Sequence, residues 1–205
     1  MTVLLEYEKA AAMLEKYKVR SVQGRYIKSP DEAAALVKGG PIAMKAISGK
    51  ALHKTKAGLI VLNISTADGA KSAFKTLTKN AAKYKPFKIL AQRMVNGGTE
   101  IIIGGKVDPQ FGKMILIGLG GVYVEAFRDF ALRVCPITKG DAASMLDQLR
   151  SKNVVAPDEA TRRMLVDLLM RVSDIIVGND IVELDLNPVI LHDGTYDTVD
   201  LRVLK

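Results

Sequence analysis

One cysteine, Cys135, stands in 205 residues, so no disulfide can close within the chain and a reducing setting, the cytoplasm, is expected. Only two histidines, His53 and His192, accompany it, too few soft ligands for a zinc cluster. Tryptophan is absent, aromatic residues make up 5%, and no extended run of lysine or arginine occurs, so stacking and electrostatic tracking of a nucleic acid are both poorly served. Long apolar stretches are missing too. The best of them, Met114 to Ala126, is broken by Gly118, Gly120, Gly121 and Glu125, well short of the roughly 20 apolar residues that a bilayer requires. Glu6 and Glu8 interrupt the first ten residues, which lack the order of a secretion signal. Neither a nucleic acid nor a membrane is therefore an expected partner.

Apolar residues make up 48% of the chain, enough for a packed core. The net charge of +8 is unevenly spread. Residues 1–100 hold 18 basic against 7 acidic side chains, and residues 101–205 hold 12 against 15, so one half suits anions and the other cations. The charge change and the turn residues Asn96 to Gly98 predict two lobes, residues 1–95 (an N-terminal helix and the smaller lobe) and 96–205 (the larger lobe).

Helical spacing predicts a helix over Glu6–Tyr17, and Ser29, Pro30, Asp31 and Glu32 spell a helix start for Pro30 to about Lys38. Further helices are expected over Ala67–Tyr84, from Thr138 and Asp141 to about Arg150, and over Asp158–Val177. Strands are expected at Arg25–Ile27, Ile42–Ala46, Leu59–Asn63, Met114–Leu119, Tyr123–Phe127 and Leu132–Pro136. Others are expected at Ile181–Leu186, Val189–His192 and Thr198–Val203, with a hairpin joining Lys88–Val95 to Glu100–Lys106. The class is α+β.

Two phosphate-binding motifs fail on their residues. Gly104-Gly105-Lys106 is followed by Val107 and preceded by Glu100 where a P-loop needs its first glycine, and Gly118, Gly120 and Gly121 lack the third spaced glycine of a dinucleotide fingerprint. More informative is Lys45 inside the apolar run Ile42-Ala43-Met44, followed by the basic stretch His53, Lys54, Lys56 and Gly58. In Glu183-Leu184-Asp185-Leu186-Asn187, strand alternation places Glu183, Asp185 and Asn187 on one face, a row of hard oxygens suited to Mg²⁺, and Asp200 adds another if its strand pairs alongside.

Four blocks, IAMKAISGKALHKTK (42–56), DPQFG (108–112), GLGGVYVEAFRDFALRVCP (118–136) and ELDLNP (183–188), occur in this order across nearly the whole chain. Together they resemble the β subunits of ADP-forming acetate-CoA ligases, the NDP-forming acyl-CoA synthetases related to succinyl-CoA synthetase. The resemblance implies an ATP-grasp fold, two lobes with the nucleotide between them. It also implies a phosphoryl-transfer subunit interconverting acyl-CoA, ADP and phosphate with acid, CoA and ATP through a phosphohistidine. It assigns ATP or ADP to Lys45, Gln92, Arg93, Met94, Val95 and Glu100, and Mg²⁺ to Asp185, Asn187 and Asp200. Glu125 would orient an incoming phosphohistidine, and Arg133 would offset charge on the transferring phosphate. His53 is either a second phosphate carrier or a histidine that hydrogen-bonds phosphate or solvent. His192 reads as a surface residue and Cys135 as core.

No segment resembles the CoA-binding, acyl-binding or phosphohistidine domains, so the resemblance implies a separate α subunit carrying them, in an α₂β₂ assembly. A non-catalytic ATP-binding regulatory or scaffold protein of the same fold is the alternative.

Overall fold

The computed structural model describes residues 3–50, 57–121 and 129–205. Helix α1 spans Tyr7–Lys16, followed by β1 (Gly24–Ile27), α2 (Pro30–Leu36), β2 (Ile42–Ile47), β3 (Ile60–Ile64), α3 (Ala67–Ala81) and β4 (Lys88–Arg93). The chain then forms β5 (Thr99–Asp108), β6 (Gly112–Leu119), β7 (Phe130–Val134), α4 (Lys139–Gln148), α5 (Lys152–Val155) and α6 (Glu159–Gly178). Strands β8 (Glu183–His192), β9 (Thr195–Thr198) and β10 (Leu201–Leu204) complete it. These elements form two compact units, residues 22–94 and residues 1–21 with 95–205.

Helix starts follow their local signals. The Ser29 hydroxyl accepts the Glu32 amide, with Pro30 in the first turn, while the Glu32 carboxylate reaches back to the Lys28 amide. At α4 the capping box is reciprocal: Thr138 accepts the Asp141 amide and the Asp141 carboxylate accepts the Thr138 amide. Asp158 caps α6 through the Thr161 amide at 2.7 Å. Helices α2 and α3 tighten into 3-10 turns at Val37–Gly39 and Ala82–Tyr84, which accounts for the longer helices expected there.

In the smaller unit four antiparallel strands lie in the order β1-β4-β2-β3. Ile42, Met44 and Ala46 of β2 and Ile89 and Ala91 of β4 pack with Ala33, Ala70, Ala73 and Leu77 of the two helices, so one face of the sheet carries α2 and α3. Alternation turns Ala43, Lys45, Leu90 and Gln92 to the other face.

The larger unit holds a sheet ordered β10-β8-β5-β6-β7, with β9 also on β8. Its neighbours are antiparallel. Leu184, Leu186, Ile103, Ile115 and Ile117 occupy the helix-covered face with the buried residues of α6, Leu165, Leu168, Leu169, Val172, Ile175 and Ile176. Gly105 lies on this face because a Cβ there would collide with Ile176. The first segment belongs to this unit: Leu4 bridges Leu204, Ser21 bridges Thr198, and the Asn179 amide donates to the Tyr17 hydroxyl. The N-terminal helix is therefore grouped with residues 95–205, not with residues 22–94 as the sequence division had it, because its apolar side packs along β10.

Two expectations about strands are corrected. Residues 96–98 do not make a hairpin: β4 pairs with β1 and β2, and β5 pairs with β6 and β8 in the other sheet. Residues 181–192 do not form two short strands either, since β8 runs on through Pro188. The strand continues because its outer edge stays occupied: the Asn187 amide donates to the Asp200 carbonyl, and the Val199 amide donates to the Pro188 carbonyl, both at 3.0 Å. The expected strand at 123–127 lies outside the described residues.

Candidate functional site

Lys45 sits on β2 between Ile60 of β3 and Leu90 of β4, and only 3% of it is exposed. Its strand neighbours Met44 and Ala46 fill the helix-covered core, so the ammonium group is on the helix-free face with Gln92, which is opposite Ala43 and 2% exposed. A buried cation and a buried carboxamide on adjacent central strands make this face locally polar and suited to an anionic or hydrogen-bonding ligand.

The remainder of the predicted adenine segment is less open. The Arg93 amide donates to the Gln23 carbonyl and the Met94 amide to the Pro41 carbonyl, so both are engaged inside this unit. The exposed Arg93 guanidinium donates to the Gly39 carbonyl, close against Gly40, whose φ of 118° keeps a side chain away from it. Val95 follows β4, is half-buried, and belongs to the larger unit.

In the larger unit Asp185 and Asn187 alternate with the buried Leu184 and Leu186, and Asn187 is exposed. The bond from the Asn187 amide to the Asp200 carbonyl extends the β8–β10 ladder and sets Asp200 opposite Asn187. The structure thus brings Asp185, Asn187 and Asp200 together from two strands, on the face that carries no helix. Two carboxylates and one carboxamide are hard oxygen donors and fit Mg²⁺, with other positions left to phosphate and water. Among the described residues no group of three or more His, Cys, Asp or Glu side chains could hold a metal alone, so the amide of Asn187 is needed to complete the row.

Glu100 lies on the same face as Asp185, opposite Ile190. Its carbonyl accepts the Gly120 amide at 2.7 Å, and a Cβ at Gly121 would come within 2.9 Å of its carboxylate. Four residues separate it along β5 from Gly104, the partner of Asp185, a span of about 13 Å.

Arg133 is not brought to this row. It pairs with Ile115, which faces the helices, and its guanidinium donates to Gln148 at 3.1 Å and Ser144 at 3.0 Å, both on α4. Cys135 is half-buried; burial pushes its thiol up, against a smaller opposing effect of the Ser173 hydroxyl, which does not suit a nucleophile. His192, the last residue of β8, is fixed by Asp197 of β9 at 2.9 Å. Gly104, Gly105 and Lys106 lie inside β5, paired on both sides, and form no phosphate nest.

His53 and Glu125 lie outside the described residues. The residues flanking the His53 segment are anchored to the end of α3: the Ser48 hydroxyl donates to the Tyr84 carbonyl at 2.5 Å, and the Asn80 amide to the Gly58 carbonyl at 2.9 Å. Sequence reasoning missed these anchors, which are long-range. It also missed Arg202, opposite Asp185, although the spacing Asp200-Leu201-Arg202 already places a cation on the same face as Asp200. No helix among the described residues is long and apolar enough to cross a membrane.

Residues 1–204 match the model of the ATP-grasp domain. The chain is 36% identical to the β subunit of acetate-CoA ligase [ADP-forming] II of Pyrococcus furiosus, over 99% of this chain and 92% of the relative. It is 34% identical to acetate-CoA ligase [ADP-forming] I of Archaeoglobus fulgidus, covering 94% of this chain but 30% of that longer protein. Among solved structures, the dinucleotide-forming acetyl-coenzyme A synthetase 1 of Ca. Korarchaeum cryptofilum, in complex with coenzyme A and Ca-AMPCP, superposes with a TM-score of 0.87 at 30% identity, covering 98% of this chain and 92% of that one. The same synthetase has been solved with Mg-AMPPCP and with its phosphohistidine segment pointing towards the nucleotide-binding site, a match with a TM-score of 0.80.

Proposed function

The chain belongs to the ATP-grasp family, with the β subunits of ADP-forming acetate-CoA ligases among its relatives, and from this premise we propose how its residues act. It is the nucleotide-binding, phosphoryl-transfer subunit of an ADP-forming acid-CoA ligase, acting in the reaction acyl-CoA + ADP + phosphate = acid + CoA + ATP. The observation that carries the residue assignment is the cross-strand set of Asp185, Asn187 and Asp200 on the helix-free face of a chain matched along its length to this family.

On this reading Lys45 binds nucleotide phosphate oxygens, and Gln92 with Val95 and Glu100 orients the nucleoside. Asp185, Asn187 and Asp200 hold Mg²⁺, which when bound offsets charge on the phosphates. The terminal phosphoryl group passes between ADP and a histidine nitrogen: a P–N bond breaks as the P–O bond of ATP forms, or the reverse. The chain's contribution is positioning and charge neutralisation, which is what this chemistry asks of a protein. Glu125 and His53 are assigned by their motifs to orienting and carrying the phosphoryl group. Arg133, tied to α4, is assigned to holding that helix.

A partner subunit supplies the CoA- and acid-binding parts, and an α₂β₂ assembly is proposed. The length of the Archaeoglobus relative, of which this chain matches 30%, supports the need for further domains. Incubation with γ-labelled ATP, with and without the partner subunit, tests the reading. Acid-labile, base-stable label on histidine that requires Mg²⁺ and is lost in Asn187→Ala is the expected result. Acyl-CoA formation by this chain without a partner would overturn the division of labour, and nucleotide binding with no phosphoryl transfer in the reconstituted complex would favour the regulatory alternative.

A further inference from the structure

We propose that the free edge of β7, with the apolar stripe it carries, is where the partner subunit docks, laying along it an extended segment with apolar residues at alternate positions. This rests on the partner subunit proposed above.

Strand β7 ends the larger sheet, beyond β6. The Cys135 amide donates to the Lys113 carbonyl and the Leu119 amide to the Asp129 carbonyl, so the odd-numbered residues of this stretch turn their backbone groups to β6. The amides and carbonyls of Phe130, Leu132 and Val134 therefore point outward. Among the described residues only the Leu132 carbonyl has a partner there, the Arg133 guanidinium at 2.7 Å. The same three residues carry apolar side chains that are 46%, 39% and 50% exposed, whereas Ala131 is buried and Arg133 reaches α4. Alternation puts the three on the helix-free face, beside the half-buried Met114 and Leu116 of β6. Phe130 stands opposite Gly118, which offers no side chain to cover the ring. Open edges are ordinarily protected by a lysine, a proline or a bulge, and β7 has none of these: its one charge, Arg133, is on the other face.

The area selects the occupant. The exposed parts of the three side chains come to on the order of 250 Å², so two copies of this chain meeting edge to edge would bury about 500 Å², less than half of the roughly 1,200 Å² where specific interfaces begin. A different chain is not bound to that symmetry: it can add a strand and continue over Met114 and Leu116. A partner with no peptide link to this chain must be retained by buried surface alone. The stripe supplies the apolar part of that surface, and the outward amides and carbonyls fix its register.

Hydrogen exchange and calorimetry on the full chain with the partner subunit test this. Exchange at the Phe130, Leu132 and Val134 amides is expected to slow about tenfold or more in the complex, with little change at Ala131 and Arg133, which β6 already engages. Leu132→Lys is expected to weaken partner binding about tenfold or more, because a charge then stands in the apolar contact, while ADP affinity without the partner stays within about twofold of wild type. Val134→Lys repeats the test at the most exposed of the three positions, where the fold has least to lose. Leu62→Lys, at a position 53% exposed on β3 of the other unit, is the control and is expected to bind the partner as wild type does. Partner binding by folded Leu132→Lys within about threefold of wild type would overturn the inference, as would an equal loss in Leu62→Lys or a complex without new protection in β7. A concentration-dependent dimer of the wild-type chain that Leu132→Lys abolishes would overturn it too, assigning the stripe to a second copy. Failure of the proposed function reads differently: wild-type chain and partner would then form no complex at all, and this inference would fall with it.

Discussion

Replacing Lys45 by methionine separates a phosphate-binding lysine from one whose charge merely reaches solvent. Methionine preserves most of the apolar stem that packs between Ile60 and Leu90, so the substitution removes charge with little change of volume. With 3% of the residue exposed, an effective dielectric near 20 is appropriate rather than that of water. At about 4 Å an ammonium and one phosphate charge then attract by about 4 kcal/mol, against about 1 kcal/mol in water. Desolvation takes back part of this, leaving roughly 2–3 kcal/mol, the usual value of a charged hydrogen bond. The expected loss in ADP affinity is about 30- to 150-fold by calorimetry. Lys45→Met that binds ADP within threefold of wild type would refute the assignment, because a change that small belongs to a solvated side chain.

Two further outcomes follow from the larger unit. Arg133→Met removes the hydrogen bonds to Ser144 and Gln148 and is expected to lower the unfolding temperature by a few degrees, with phosphoryl transfer per folded molecule reduced less than threefold; a hundredfold fall in kcat at unchanged stability would return Arg133 to the transferring phosphate. Burial opposes the charge of Asp129, but the hydrogen bonds that its two carboxylate oxygens accept from the Arg150 and Ser151 amides, each at 2.8 Å, help hold its carboxyl below the ordinary range. Such a group stabilises the fold above its unfolded pKa of about 3.9, and that contribution disappears as pH falls through the lower folded value. Thermal unfolding between pH 5 and pH 2 should therefore be less pH-dependent in Asp129→Asn than in wild type, and parallel curves would exclude this role.

Helix starts were legible because their determinants are neighbours in sequence: Ser29 with Glu32, Thr138 with Asp141, Asp158 with Thr161. Strand partners were not. Asn96-Gly97-Gly98 carries a strong hairpin signal, yet whether β4 meets β5 is decided by β1 and β2, which occupy both of its edges. Pro188 likewise reads as a strand breaker until Val199 and Asp200 are seen to occupy the edge beside it. That Asp185 and Asn187 share a face was legible because alternation within β8 is local, and Asp200 needed only one correct pairing to join them. Arg133 was misplaced because its face depends on its register with Ile115, which the sequence does not contain. Lys45 was legible as an anomaly, a cation in an apolar strand, although its degree of burial emerged only with the sheet.

The pairing of Leu4 with Leu204 has a consequence for biosynthesis. A ribosome releases residues 22–94 as an uninterrupted stretch with its own sheet and helices, so that part can collapse early. Its companion must keep the segment around Leu4 idle until β10 appears some two hundred codons later, a loop closure that slows completion. Chaperone dependence and sensitivity to stalled translation should accordingly concentrate in the unit that contains β8 and β10.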